Sequence, residues 1–220
     1  MNISFIKSKI LPIATILIVF GLWFSPLNLG YFIVIVPAIL VIISSFVENG
    51  KKGFKLLGLK RGTTSFLDLL VYAPTIALIL FSAYYFFLIP FIGSLTGQGI
   101  DFSSFSDLKG NTSYALIMLV FIWISAAFGE EIIWRGYFMK QFNKFFGKNT
   151  ISLAINLLLF AILFGFMHSY QGITGQIITG IIGFTLALIF HVKKYNLWFN
   201  IAIHGFFDTF GLIAVYNGWM

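Results

Sequence analysis

Eight ionisable side chains stand within or at the edge of long apolar runs: Asp68, Glu130, Glu131, Arg135, His168, His191, His204 and Asp208. The chain has 220 residues and only seven acidic ones, yet two of these lie side by side in FGEEIIWRGYF, from Phe128 to Phe138. A charge at lipid depth is costly, so each of these residues is a candidate for function until a simpler role accounts for it. The chain holds no cysteine, which excludes disulfides, thiolate metal ligands and a cysteine nucleophile. Chemistry must come from Glu, Asp, His, Ser or Lys.

Two of the eight have simple accounts. Asp68 falls near a predicted helix start beside a basic loop, where a carboxylate suits the helix dipole and the interface. His191 precedes Val192-Lys193-Lys194 and reads as an interfacial histidine. The others fall at helical spacings. Glu131 and Arg135 are i and i+4 and share a face, while Glu130 is turned about 100° away, so one glutamate can be structural and the other free. The simplest role for Glu131 with Arg135 is a buried ion pair. His204 and Asp208, in HGFFD, are again i and i+4, so the carboxylate can orient the imidazole or face a common centre with it. His168 closes LLLFAILFGFMH; alone it would be a helix-end polar residue. Together, Glu130, His168, His204 and Asp208 place acid-base or metal-ligating groups on three helices of a chain otherwise nearly free of them.

The elements that carry these groups follow from composition. With 59% hydrophobic residues, 10% charged and 28 Phe, the chain reads as all-α, a polytopic transmembrane helical bundle. A span needs roughly 20 mostly apolar residues, and about seven such runs are predicted: Ile10 to Trp23, Tyr31 to Val47, Phe66 to Ile89, Tyr114 to Glu131, Ile151 to His168, Ile173 to Phe190, and Leu197 to Val215. They form a single integral membrane domain over residues 1–220. The first run lacks a small-residue cleavage site and is retained as a helix. The net charge of +7 does not point to nucleic acid, because the basic residues lie between apolar runs rather than on a soluble face. Seven spans put Lys7, Lys9, Lys51, Lys52, Lys55, Lys60, Arg61, Arg135, Lys140, Lys144, Lys148, Lys193 and Lys194 on one side and leave Lys109 on the other. The positive-inside rule then sets the N-terminus in the cytoplasm and the C-terminus outside.

Three motifs lie in order on successive apolar segments. Glu130-Glu131 through Arg135 fits E-E-x-x-x-R, Phe164 to His168 fits F-x-x-x-H, and His204 to Asp208 fits H-x-x-x-N/D. Over a core of about 114–215 the chain resembles the CAAX protease and bacteriocin-processing (CPBP, Abi) family of intramembrane endopeptidases. The resemblance implies that Glu130 activates water, that Glu131 and Arg135 support it, and that His168, His204 and Asp208 complete the centre. Asp208 stands where the eukaryotic prenyl-protein enzymes have Asn. An ionised Asp cannot donate to an oxyanion as Asn can, so the position favours orienting His204 or binding a cation.

Peptide hydrolysis of this kind needs an activated water and a stabilised oxyanion. A zinc held by His168, His204 and a carboxylate from Glu130 or Asp208 would supply the water. The resemblance is to a family commonly classed as metallopeptidases, so a metalloprotease is the preferred expectation; the chain lacks the H-E-x-x-H helix of safer metal assignments, and a metal-free mechanism, with Glu130 and His168 at the water and His204 polarising the carbonyl, stays open. For Glu130 and His168 to meet, the fourth helix must run on to Phe146, so that both lie roughly 25 Å from the turn at Gly147 to Thr150. The expected substrate is a peptide or membrane-associated protein, and minimal loops point to a bacterial cell membrane. The competing expectations are a non-catalytic bacteriocin self-immunity or scaffold protein, and a proton-coupled carrier, which no inverted repeat supports. Oligomeric state has no signature in the sequence.

Overall fold

The computed structural model describes residues 3–27, 29–60, 62 and 64–220, with the backbone alone at Tyr31. Arg61, placed above among the basic-side residues, lies outside the described residues. All regular structure among the described residues is helical: α1 (Ile3–Trp23), α2 (Ile35–Asn49), α3 (Gly53–Leu57), α4 (Asp68–Thr96), α5 (Thr112–Phe146), α6 (Thr150–Met167), α7 (Gly172–Val192) and α8 (Leu197–Tyr216).

Six of these, α1 and α4 to α8, are long and apolar enough to cross a membrane. The remaining predicted span is α2, whose 15 residues reach only about 22 Å at 1.5 Å per residue, short of a hydrocarbon core of about 30 Å. It packs against α1 and α5. Large apolar side chains point outward around the bundle, among them Ile79, Phe86, Phe87, Ile162 and Phe166. A helix apolar on all sides is stable there because lipid takes the place of a protein neighbour. The protein is an integral membrane protein.

The longest helix is α5, with 35 residues, about 50 Å at the α-helical rise. It runs through Phe146 as the depth argument requires. Gly147, at φ +86°, ends it in a conformation that costs glycine little. Asn149 then caps α6, its side chain accepting from the Ser152 N–H at 2.8 Å, so the chain turns back along α5. Aromatic packing fixes α5 against α1 and α6: Trp134 stacks on Trp23 at 5.3 Å and meets Phe164 edge-on at 5.8 Å. Interhelical hydrogen bonds add direction. Thr15 donates to Ser44 Oγ at 2.8 Å, Ser44 pairs with the Tyr137 hydroxyl at 2.6 Å, and Asn156 donates to Met139 O and Asn143 Oδ1 at 3.0 and 2.8 Å. Such bonds add about 0.6 to 2 kcal/mol each within a bilayer.

The lysines gather at one end. Lys144 binds Glu48 and Ser8 O, Lys140 binds Leu56 O, Lys60 donates to Lys194 O at 2.9 Å, and Lys9 lies over Phe145. Lys109 packs on Gly218 at the opposite end. Arg135 leaves this pattern, since it is buried inside the bundle rather than at its edge. Asp68 plays the helix-start role expected of it: its carboxylate accepts from Ser65 N–H and Oγ at 2.9 and 2.7 Å, and Ser65 Oγ accepts from the Asp68 N–H at 3.0 Å. His191 lies beside the basic turn with Nδ1 3.1 Å from the Tyr195 hydroxyl.

The turn between α7 and α8 sets the height of α8. Lys194 and Tyr195 both have positive φ, 53° and 61°, which is strained for residues with a Cβ. The Lys60 contact and the Tyr195 N–H to Phe190 O bond of 2.8 Å hold them there. Leu197 N–H then donates to Gly58 O at 3.1 Å, and Gly136 on α5 lies so close to Leu57 O and Leu197 that a Cβ would come within 2.9 and 3.2 Å. The first turn of α8 is thereby locked to the middle of α5.

Candidate active site

Glu131 is the most enclosed of the motif residues, with no solvent exposure. Its Oε1 accepts from Arg135 Nη1 at 2.8 Å and lies 3.0 Å from His204 Nδ1, and its Oε2 accepts from Asn200 Nδ2 at 3.2 Å. A carboxylate only accepts, so His204 donates from Nδ1. Arg135 sends Nη2 to Gly183 O at 2.9 Å, and Asn200 also donates to Leu186 O at 2.8 Å. One carboxylate thus joins α5, α7 and α8. Burying these charges is tolerable because each is paired and hydrogen-bonded.

The glycines of this region let the helices come this close. A Cβ on Gly205 would fall 2.6 Å from the Trp123 ring, so the glycine beside His204 lets α8 approach α5. A Cβ on Gly165 would fall 2.3 Å from Gln176 O, and one on Gly183 2.8 Å from Phe164. The phenylalanine of F-x-x-x-H packs among the polar groups of the centre. Arg135 stacks its guanidinium over the Phe164 ring at 4.8 Å, and the imidazoles of His168 at 4.7 Å and His204 at 6.4 Å adjoin the same ring. Around Glu131, α5 widens into π-helical turns over Ile122–Glu130 and Ile132–Phe138, a form frequent at functional sites.

Glu130 behaves differently from its neighbour. Its side chain has no hydrogen bond or ion pair to the described residues and lines a cavity of about 770 Å³ that is also lined by His168, His204 and Asp208. The long α5 therefore does bring Glu130 and His168 to one space. His168 stands at the C-terminal end of α6, where its Nδ1 is 2.8 Å from Phe164 O. A carbonyl only accepts, so Nδ1 carries the proton and Nε2 is the atom with a lone pair. His204 turns Nε2 toward Asp208 Oδ2 at 3.4 Å. The cavity reaches the end of the bundle remote from the lysines, where Phe102, Leu108, Tyr170 and Met220 contribute to its walls.

The donors present do not match the expected zinc. Among the described residues no group of three or more His, Asp or Glu is arranged to hold a metal ion. His204 Nδ1 is engaged by Glu131 at 3.0 Å, and its Nε2 lies 3.4 Å from Asp208 Oδ2. As arranged, Glu130, His168, His204 and Asp208 do not form the ligand set of a zinc centre.

Sequence reasoning missed Asn200. It lies four residues before His204 on the same face of α8, fully buried, and holds the second oxygen of Glu131. The sign was present as an amide in the apolar stretch LWFNIAIH, at helical spacing from a histidine already singled out. It also missed Tyr84 and Tyr170, which line the cavity.

Comparison with known proteins bears on the motif-bearing half. No curated protein and no solved structure is significantly similar to the chain. Residues 112–210 match the model of one family, described as type II CAAX prenyl endopeptidase Rce1-like. That segment holds all three motifs, the Glu131 ion pair and every polar residue of the cavity so far assigned to the centre. Over residues 112–210, a little under half of its length, the chain is therefore similar to the Rce1-like type II CAAX prenyl endopeptidases.

Proposed function

We propose that the protein is an intramembrane endopeptidase that hydrolyses a peptide bond in a membrane-associated peptide or protein by means of a water activated by Glu130. The observation that carries this reading is the division of labour between adjacent glutamates. Glu131 is committed to Arg135, His204 and Asn200, whereas Glu130 is uncommitted and faces the cavity with His168.

In this mechanism Glu130 accepts a proton from water as the water oxygen attacks the carbonyl carbon. His168, with its Nε2 lone pair, accepts the second hydrogen bond of that water and aligns it. The carbonyl oxygen becomes an oxyanion, and His204, its ring fixed through Nδ1 by Glu131, donates to it from Nε2 when that atom carries a proton. When the C–N bond breaks, the proton held by Glu130 passes to the leaving amine. Asp208 orients the His204 ring from its other edge. No step is routed through a metal.

By the positive-inside rule the lysine-rich end is the cytoplasmic one, with the N-terminus inside and the C-terminus outside. A chain with such short loops fits a bacterial cell membrane. The test uses the full chain reconstituted in phospholipid vesicles, wild type beside Glu130→Gln, with a panel of membrane-anchored peptides read by mass spectrometry. We expect cleavage of at least one peptide by wild type and a loss of more than about 100-fold in Glu130→Gln, since a positioned general base contributes about 10² to 10⁴. Equal cleavage by both proteins, or none by either, overturns the reading.

A further inference from the structure

The centre as assembled has one donor for the oxyanion, His204. The position that could supply a second donor holds Asp208, whose ionised carboxylate accepts only. Removing one donor from an oxyanion hole costs about 10² to 10³ in rate, so a further O–H or N–H facing the cavity is worth seeking. Three phenols line it, those of Tyr84, Tyr114 and Tyr170, and Tyr114 packs against the apolar cluster of Leu108, Leu212 and Val215. The Tyr170 hydroxyl accepts a hydrogen bond from Gln171 at 3.2 Å, and its residue is about half exposed.

Tyr84 lies on α4, outside the family-matched segment. Its hydroxyl has no hydrogen-bond partner among the described residues, and the residue lines the cavity together with Glu130, His168, His204 and Asp208. Its ring is held by aromatic contacts with Phe207 at 5.5 Å and Phe81 at 5.9 Å, and Phe207 directly precedes Asp208. The phenol is close enough to the Asp208 carboxylate for the two to interact electrostatically. A phenol O–H at the rim of an apolar wall normally finds a partner, and here the partner is supplied by the reaction.

We infer that Tyr84 is a catalytic residue whose hydroxyl donates a hydrogen bond to the oxyanion formed from the scissile carbonyl, beside His204. This rests on the proteolytic reading above. It makes α4, which carries no family motif, a contributor to the catalytic centre. Tyr84 keeps its proton throughout, since it stabilises charge rather than transferring a proton.

The experiment measures cleavage of the peptide identified by the Glu130 comparison, with the full chain in vesicles. Tyr84→Phe keeps the ring contacts and removes only the hydroxyl. We expect kcat to fall about 100-fold with KM within about threefold of wild type, because the bond forms only as the oxyanion develops. In the Tyr84→Phe background, Asp208→Asn is expected to recover kcat by at least about tenfold, since the amide can donate; a packing role for the hydroxyl would give no such rescue. Should Tyr84→Phe fold poorly, 3,5-difluorotyrosine at position 84 keeps the size and strengthens the donor, and kcat is expected to rise or hold. A kcat for Tyr84→Phe within about threefold of wild type overturns the inference, as does a fall that Asp208→Asn leaves unchanged. If Glu130→Gln is inactive while Tyr84→Phe cleaves normally, this inference alone fails; if no peptide is cleaved in a Glu130-dependent way, the reading beneath it fails too.

Discussion

His204 donates from Nδ1 to Oε1 of Glu131 across 3.0 Å, joining two residues 73 positions apart in the chain. The same oxygen receives Arg135. The orientation of the His204 ring, and so the direction of Nε2, is therefore set by a carboxylate that Arg135 and Asn200 hold in place.

Disturbing that carboxylate should be read first in geometry and stability. Glu131→Gln leaves Arg135 without its counter-charge in a buried site, and loss of one partner of a buried pair costs about 3 to 5 kcal/mol. We expect less folded protein in the membrane and lower activity per folded molecule. Asn200→Asp should be worse than Asn200→Ala, because it sets a second carboxylate about 3.2 Å from the first. Thermal unfolding in detergent, alongside cleavage rate, checks both; an Asn200→Asp protein as stable as Asn200→Ala would contradict the assigned contact.

Helix contact offers a separate test. Gly165→Ala should push α6 from α7, since its Cβ would approach Gln176 O to 2.3 Å, and His168 lies three residues on. Gly21→Ala, with nothing within 4 Å, should be silent or slightly stabilising. Activity lowered at least about tenfold in the first and unchanged in the second is the expected outcome, measured in vesicles at equal folded protein.

The metal question is settled by removal. With Nδ1 of His204 held by Glu131 and Nε2 facing Asp208, we expect cleavage to survive prolonged chelation, elemental analysis to find well below one metal per chain, and Asp208→Asn to retain activity within about tenfold. One zinc per chain, with activity lost on chelation and restored by zinc, would show instead that His204 turns from Asp208 to serve as a ligand.

Much of this arrangement was legible in the sequence for definite reasons. Apolar runs of span length report helices because a bilayer allows the backbone no other open form. The pairing of Glu131 with Arg135 was legible because both lie on one helix turn. The extension of α5 to Phe146 followed only from requiring Glu130 and His168 to meet, since Met139–Phe146 mixes lysines and amides with apolar residues and looks like a loop by composition. Asn200 and Tyr84 were hidden for another reason. Neither is ionised at neutral pH, so neither stood out as costly, and their roles depend on contacts between distant segments that no local periodicity reports. The left-handed turn at Lys194 and Tyr195 was equally unreadable, because neither residue favours that backbone and only the contacts of Lys60 and Phe190 hold it.

The partnership of Glu131 with Arg135 within a single helix also bears on biogenesis. A carboxylate or guanidinium at the centre of an inserting helix costs about 2.5 to 3.5 kcal/mol on translocon scales. Here each charge meets its opposite one turn away, before α7 or α8 has been synthesised, so α5 can enter the bilayer as a nearly neutral cylinder. Gly183 O, His204 and Asn200, the further partners of this pair, all lie on helices later in the chain. A chain lacking Arg135 is therefore expected to insert α5 less well, before α7 and α8 can bring their partners to Glu131.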